Sequence, residues 1–399
     1  MGGFRRPKLG GNAPISPIDF TDFVSESRGR VYTAYFVEKT QKHPILKELF
    51  TENAIESFGI KRPDQFYEKT VAKELIEKIW NPFKGLIKEG STVYYVPSQL
   101  LFQIALESLP MEDGTFLGDH YHFVRLSSAR EVMNISPCIS SIEDCETDAV
   151  LYGGLKYDLS ADEMKTESEK YEISSLLATR GDVVRGDSVY RELPRTKEEV
   201  IEIEKILKSK GKTVKTLTGV NETEESFLDL YGKAPQILQI ATHGFYYTPD
   251  AAQKVDYLRG YTDAMLLSGI ILSGGNAAWR GKELPKGVLG GVLTASSISR
   301  VDLAGAELVV LSACQTGRGE TTPEGLFGLQ RAFKKAGAQT LVLSLWKISD
   351  KVAKEFMVDF YKRLADNGWQ KQKAFNDAKK YIRGKYEDPY YWAGFVMLD

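Results

Sequence analysis

Cysteine is scarce in this chain, histidine nearly as scarce, and long apolar runs are missing. The three cysteines, Cys138, Cys145 and Cys314, show no disulfide or zinc-ribbon spacing. A disulfide framework is therefore not expected, and a reducing, cytoplasmic setting suits a thiol that stays free. Every apolar stretch is broken by glycine or charge before the ~18 residues a membrane helix requires, so no membrane span is expected. Excess basic charge is missing as well. The 52 Lys and Arg are offset by 54 Asp and Glu, for a net charge of −2, which gives nucleic acid no positive field to bind. Arg5, Arg6 and Lys8 have no apolar segment behind them, so the N-terminus does not read as a secretory signal. No helical repeat of about 34 residues is visible.

What is present is ordinary globular composition, 42% hydrophobic and 27% charged, in a chain of 399 residues. That length is large for one core and predicts two subdomains. Residues 1–17 are rich in Gly and Pro and read as a flexible segment. Strands are predicted at Val31–Val37, Thr92–Val96 and His122–Leu126. Helices are predicted across Leu46–Phe58 and Asp64–Trp80 and from Pro97 towards Leu106. The pattern restarts at Ala149–Tyr152, followed by Gly153-Gly154. Residues from Asp158 to Arg191 (about 158–193) are polar with little period and read as a surface insertion. Lys197–Lys208 is an amphipathic helix with Val200, Ile203 and Leu207 on one face. Later strands are predicted near Thr213–Leu217, Met265–Leu272, Thr340–Leu345 and Trp392–Leu398, with helices between them. Alternation of this kind predicts an α/β fold with a parallel-dominated sheet and helices on both faces.

Two buried-strand runs carry the chemistry. Gln236–Thr242 delivers His243-Gly244, and Glu307–Ala313 delivers Cys314-Gln315-Thr316-Gly317. Both are short, apolar and partly β-branched, as in parallel strands covered on both faces. Chemistry in open α/β sheets gathers at the carboxyl ends of strands. The interval between the two motifs has room for a crossover helix and a further strand, so thiol and imidazole can meet at one edge. Such a pair can act as nucleophile and base, provided the thiol is activated by the ring or by backbone N–H groups. Alternatively Cys314 is a small buried hydrophobe and His243 a turn residue.

The segments Ile240–Gly244 and Leu311–Gly317 resemble the signature of CHAT-domain cysteine proteases, relatives of caspases and separases. Leu151–Gly154, Gly325–Phe333, Ser344–Lys347 and Asp388–Phe395 support the resemblance, which covers roughly residues 85–399. It implies a caspase-like catalytic subdomain over 148–399, preceded by a smaller pseudo-caspase-like α/β subdomain over 18–147. It also implies a cysteine endopeptidase acting on a protein substrate. Cys314 would be the nucleophile and His243 the general base, with the backbone N–H groups of Gly244 and Cys314 as oxyanion hole. The clan builds its specificity pocket from stretches that match Lys156–Asp158, Ser312 and Trp346–Asp350. Asp158 or Asp350 could there accept a basic side chain, or serve as surface or capping carboxylates, and Trp346 could be a wall or a packing residue. The family's frequent fusion to tetratricopeptide repeats implies a regulatory partner or repeat-bearing region.

Neither a metal nor an organic cofactor is expected. His120 and His122 alternate on one predicted strand, but a third ligand at metal spacing is lacking. Gly211-Lys212-Thr213 resembles the end of a phosphate-binding loop, yet Ile206 stands where the first glycine belongs. Cys138 and Cys145 read as structural or exposed, and Glu163–Lys170 as a solvated face. Two other function classes stay open: a catalytically silent protease-like scaffold that binds a partner through the same cleft, and a thiol hydrolase acting on a small acyl substrate.

Overall fold

Apolar segments that pair in parallel must be covered on both faces, and the long central sheet follows that rule. The computed structural model describes residues 16–25, 29–38, 43–133, 147–174, 177, 186, 189–247, 263, 265–312, 314–315 and 323–399. Cys138 and Cys145 lie outside them. The strands are β1 (Ser16–Ser25), β2 (Gly29–Phe36), β3 (Ile45–Thr51), β4 (Thr92–Val96), β5 (His122–Arg125), β6 (Ala149–Leu155), β7 (Val214–Gly219) and β8 (Ile237–Ala241). They continue with β9 (His243–Tyr246), β10 (Ser268–Ile271), β11 (Val292–Thr294), β12 (Leu308–Leu311), β13 (Cys314–Gln315), β14 (Thr340–Ser344) and β15 (Phe395–Leu398). Four longer helices are α1 (Pro194–Ser209), α2 (Pro323–Ala336), α3 (Asp350–Asp366) and α4 (Lys371–Lys385).

Eleven strands form one sheet in the order β3-β2-β1-β4-β5-β15-β14-β12-β8-β6-β7. The pairs β1–β4, β4–β5, β5–β15, β14–β12, β12–β8, β8–β6 and β6–β7 are parallel. Among the described residues of this sheet, only the outer ribbon β1–β2–β3 and the β14–β15 pair are antiparallel. The fold is thus α/β, a mostly parallel sheet flanked by helices. Helices α1, α3 and α4 pack successively along one face, while α2 packs with β9, β10 and β14. A second, four-stranded sheet, β11-β10-β9-β13, sits beyond the carboxyl ends of β8 and β12.

Strands β1–β5 come from the first part of the chain and β6–β15 from the rest. Their join in the main sheet is β5 against β15, through the single register pair Leu398↔Arg125. A bond from the Asp399 N–H to the Arg125 carbonyl (2.9 Å) reinforces it. One hydrophobic cluster runs through both parts, from Tyr32 and Trp80 to Trp346 and Phe395.

The glycine pair ending β6 has a packing reason. A Cβ on Gly153 would sit 2.6 Å from the Thr196 carbonyl and 2.7 Å from Val200 Cγ1, so α1 rides directly on the strand. Gly154 adopts φ +80°, a left-handed conformation that favours glycine. The strand consequently bulges between Tyr152 and Leu155.

Several expected elements change type. The Leu46–Phe58 helix is instead β3, followed by a short helix at Glu52–Glu56, because pairing with β2 overrides the helical propensity of Leu, Lys and Glu. Asp64–Trp80 divides into a 3-10 turn at Pro63–Tyr67, an α-helix at Lys69–Leu75 and a π segment at Ile76–Trp80. The expected helix towards Leu106 is two 3-10 turns. Strands β1 and β11 and the helix at Ala161–Ser168 were not expected from the sequence.

Candidate active site

Strands β8 and β12 lie side by side in the centre of the sheet and pair from Leu308↔Ile237 to Leu311↔Ile240. Each then leaves the main sheet at its carboxyl end and enters the smaller one. The register survives the crossing: β13 pairs in parallel with β9 as Cys314↔His243 and Gln315↔Gly244. The two motif positions are therefore direct backbone neighbours, at the ~4.8 Å separation of adjacent strands. His243-Gly244 opens a new strand rather than a turn. Its other side pairs antiparallel with β10, Gly244 opposite Ile270 and His243 opposite Ile271.

The His243 side chain is buried among aromatic rings. Tyr157 lies 5.0 Å and Tyr190 5.2 Å from it, centroid to centroid. Its Nε2 sits 2.7 Å from the Arg191 carbonyl oxygen. A carbonyl only accepts, so Nε2 carries the proton and Nδ1 is the basic nitrogen of the neutral ring. Burial pushes the imidazole pKa below its ordinary 6.5. The Arg191 carbonyl and Asp350 pull it back up in part, and Lys347 lowers it further.

Residues 189–191 form a strap over the histidine, and Asn276 holds the strap. Asn276 Oδ1 accepts from the Tyr190 N–H (2.9 Å), while Nδ2 donates to the Tyr190 carbonyl (3.0 Å) and to Asp158 Oδ2 (3.0 Å). The Tyr190 ring packs edge-on against Trp279 at 5.2 Å. Behind the ring, Tyr157 Oη lies 2.9 Å from Thr242 Oγ1, which itself donates to the Ile271 carbonyl. The end of the polar 158–193 stretch is therefore part of the site's wall rather than a free surface loop.

Beneath the other motif strand runs a buried polar chain. Ser312 Oγ and Glu199 Oε2 are 3.2 Å apart, Gln239 Nε2 donates to Glu199 Oε1 (2.9 Å), and Tyr361 Oη donates to Gln239 Oε1 (3.0 Å). It links α1, β8, the end of β12 and α3. Burial, mainly, raises the Glu199 pKa to about 8. The carboxyl consequently keeps its proton at neutral pH, and one proton serves the Ser312–Glu199 contact. Glu222, buried near Gly153 and Gly219, is raised to about 8 for the same reason.

The remaining predicted positions fall around this centre. Asp158 is exposed and engaged by Asn276. Asp350 is half-buried at the start of α3 and close enough to act electrostatically on His243, Tyr157 and Glu199. Trp346 is buried, donates from Nε1 to the Tyr390 carbonyl (2.9 Å) and fills the space beside Gly394. Glu199 went unnoticed in the sequence although its position carried a signal. The buried residues of α1 are Thr196, Glu199, Val200, Ile203 and Leu207, so a glutamate stands on the apolar stripe itself. Tyr190, Arg191 and Asn276 had no comparable signal, because only tertiary contacts join them.

Elsewhere, His120 is held by Glu89 (2.7 Å) and Thr115 (2.7 Å), and His122 is exposed. Among the described residues no group of three His, Cys, Asp or Glu could hold a metal ion, and no helix is long and apolar enough to cross a membrane. Lys212 binds Asp148 (3.0 Å) and Gln236 (3.2 Å), a clip between strand starts. Within Glu163–Lys170, the Ala161–Ser168 helix is capped by Ser160 and buries Met164 and Glu167.

Comparison with known proteins places these features in a family. Mouse Tetratricopeptide repeat protein 28 is 35% identical over 109 residues, and the human protein of that name is 34% identical over the same length. Each match covers 27% of this chain and 4% of the relative, so the chain spans a small part of the length of these relatives. Among solved structures, the Arg specific cysteine proteinase gingipain R aligns at TM-score 0.44 and 11% identity, covering 88% of this chain and 67% of that one. A complex of Porphyromonas gingivalis RgpB pro- and mature domains aligns at TM-score 0.41 and 11% identity, covering 88% and 69%. These structural likenesses are too loose to transfer residues. The family model described as CHAT domain matches residues 69–399, which include β8, β9, β12 and β13. The chain belongs to the CHAT domain family.

Proposed function

We propose that this chain is a cysteine endopeptidase with Cys314 as nucleophile and His243 as base. The observation that carries the reading is the in-register pairing of the two positions on adjacent strands at the carboxyl edge of the sheet. The Cys314 thiol gives its proton to His243 Nδ1 and its sulfur bonds to the scissile carbonyl carbon. The Gly244 and Cys314 N–H groups, which face each other's strand in the β9–β13 ladder, are proposed to turn to the resulting oxyanion as that ladder opens at Cys314. Collapse breaks the C–N bond, the departing amine takes the proton from His243, and a thioester remains. Water, deprotonated by the same ring, then hydrolyses the thioester, releasing the acid and restoring the thiol. This chemistry uses no metal or cofactor.

The 18–147 and 148–399 parts are proposed as an inactive caspase-like unit and the catalytic unit. Likeness to relatives named for tetratricopeptide repeats supports a partner or repeat-bearing region that switches activity on, in a cytoplasmic setting. A second reading, a silent scaffold binding through the same cleft, is favoured by the burial of His243 under Tyr190 and Arg191. A peptide-library digest decides between them when run beside Cys314→Ala, together with labelling of Cys314 by an electrophilic peptide. Cleavage that survives in Cys314→Ala overturns the dyad. Absence of both cleavage and labelling in the wild type favours the scaffold.

A further inference from the structure

Away from the cleft, a cavity of about 50 Å³ lies between β5, β15, α4 and the turn at Leu106–Ser108. That is room for several waters, since one requires roughly 10–15 Å³. Three donors in its lining are buried without a hydrogen-bond partner: Ser108 Oγ, Arg125 Nε and Trp392 Nε1. The residues are 1%, 3% and 2% exposed. Orphaned buried polar groups are uncommon, and three around one cavity point to something that belongs there.

The orphans share a sign. Arg and Trp nitrogens only donate, and a hydroxyl can donate, so the missing partner is rich in acceptors. The guanidinium is pinned through its other nitrogens, Nη1 to the Ile104 carbonyl (3.2 Å) and Nη2 to the Phe102 carbonyl (2.7 Å). Charge agrees. Lys379, Lys380 and Arg383 join Arg125 in the lining, against only Glu107 and Asp119. Two of the cations are matched by those carboxylates, Lys379 by Glu107 (2.8 Å) and Arg383 by Asp119 (3.0 Å from each arm), which leaves Arg125 and Lys380 as the excess positive charge.

We propose that this cavity is a binding site for a small tetrahedral oxyanion of the phosphate class, held by Arg125, Trp392 and Ser108. Its position gives the ligand a structural consequence. Arg125 is the β5 half of the single register pair that joins β5 to β15. An anion bridging Arg125 to Trp392, just ahead of β15, fastens the join between the two parts of the chain. Neither the cleft nor cleavage enters this proposal.

The test is thermal unfolding of the full chain in inorganic phosphate, with ionic strength held constant by sodium chloride. Saturable stabilisation of roughly 2–5 °C is expected. Ser108→Ala and Trp392→Phe should each weaken the apparent phosphate affinity about tenfold, because each removes one bond to a charged ligand. If Trp392→Phe does not fold, Ser108→Ala alone decides, since losing one hydroxyl leaves the packing intact. No shift beyond the chloride control overturns the proposal. So do variants that respond to phosphate as the wild type does, or a phosphate-soaked crystal with only water in the cavity.

Discussion

Cys314 and His243 are register partners on neighbouring parallel strands, although a crossover separates them in sequence. Their proximity follows from β8 and β12, which fix the register in the main sheet before either motif residue is reached. Replacing the ring should therefore remove the base and leave the strands in place. His243→Ala is expected to lower kcat/KM by about 10²–10⁴-fold. The same variant should slow alkylation of Cys314, with little change in circular dichroism. Alkylation at the wild-type rate would show that the imidazole does not activate the thiol.

The environment of His243 also sets a pH limit. Burial holds its pKa below 6.5, so the ring is neutral and basic throughout the neutral range. The acid limb of kcat/KM should accordingly fall below pH 6.5. In stability, the folded protein binds fewer protons at this site than the unfolded chain between the lowered value and 6.5. Stability from His243 thus declines as pH drops through that window. A pH–rate profile with its acid limb at or above 6.5 would contradict this account.

Much of the candidate site's backbone placement is legible because its signal is local. Apolar, β-branched runs ending in His243-Gly244 and Cys314-Gln315 identify central strands, and the strands bring their ends together. The strand at Thr92–Val96 was equally plain, since β-branched and aromatic residues fill it. Residues 45–51 were not plain: Leu, Lys and Glu favour helix, and only the neighbouring β2 ribbon makes them a strand. The strap over His243 was hidden for a related reason. Tyr190 and Arg191 follow a polar stretch, and their role comes from Asn276, which is distant in sequence.

Glu199 offers a stability test. Folded, it holds its proton to about pH 8, whereas an ordinary glutamate loses it near 4.5. The folded state thus binds the extra proton, and stability falls as pH rises from about 4.5 through about 8. Glu199→Gln imitates the protonated side chain and can bond to both Ser312 and Gln239. It should match the wild type at pH 4 within about 1 kcal/mol, where both states of the wild type are protonated, and exceed it at pH 9. Glu222 titrates in the same range, so the slope should shrink rather than vanish. Urea midpoints at the two pH values measure this, and parallel losses in both proteins would refute the assignment.

Asn276 links the strap to the acid limb. Its amide makes three bonds, two to the Tyr190 backbone and one to Asp158. Asn276→Ala removes all three and should cost about 1.5–4 kcal/mol, with the larger figure applying if the Tyr190 backbone groups stay dry. The loss should loosen residues 189–191, admit water to His243 and weaken the contact from Nε2 to the Arg191 carbonyl. Because burial is the largest influence on the ring, rehydration should win over the lost carbonyl contact and raise the imidazole pKa towards 6.5. The acid limb of kcat/KM should move upward with it, a change that general destabilisation would not produce. Denaturant melts and a pH–rate profile on the same variant separate the two effects. A destabilised protein whose acid limb stays in place would mean that Tyr157 and the surrounding core, rather than the strap, keep the histidine dry.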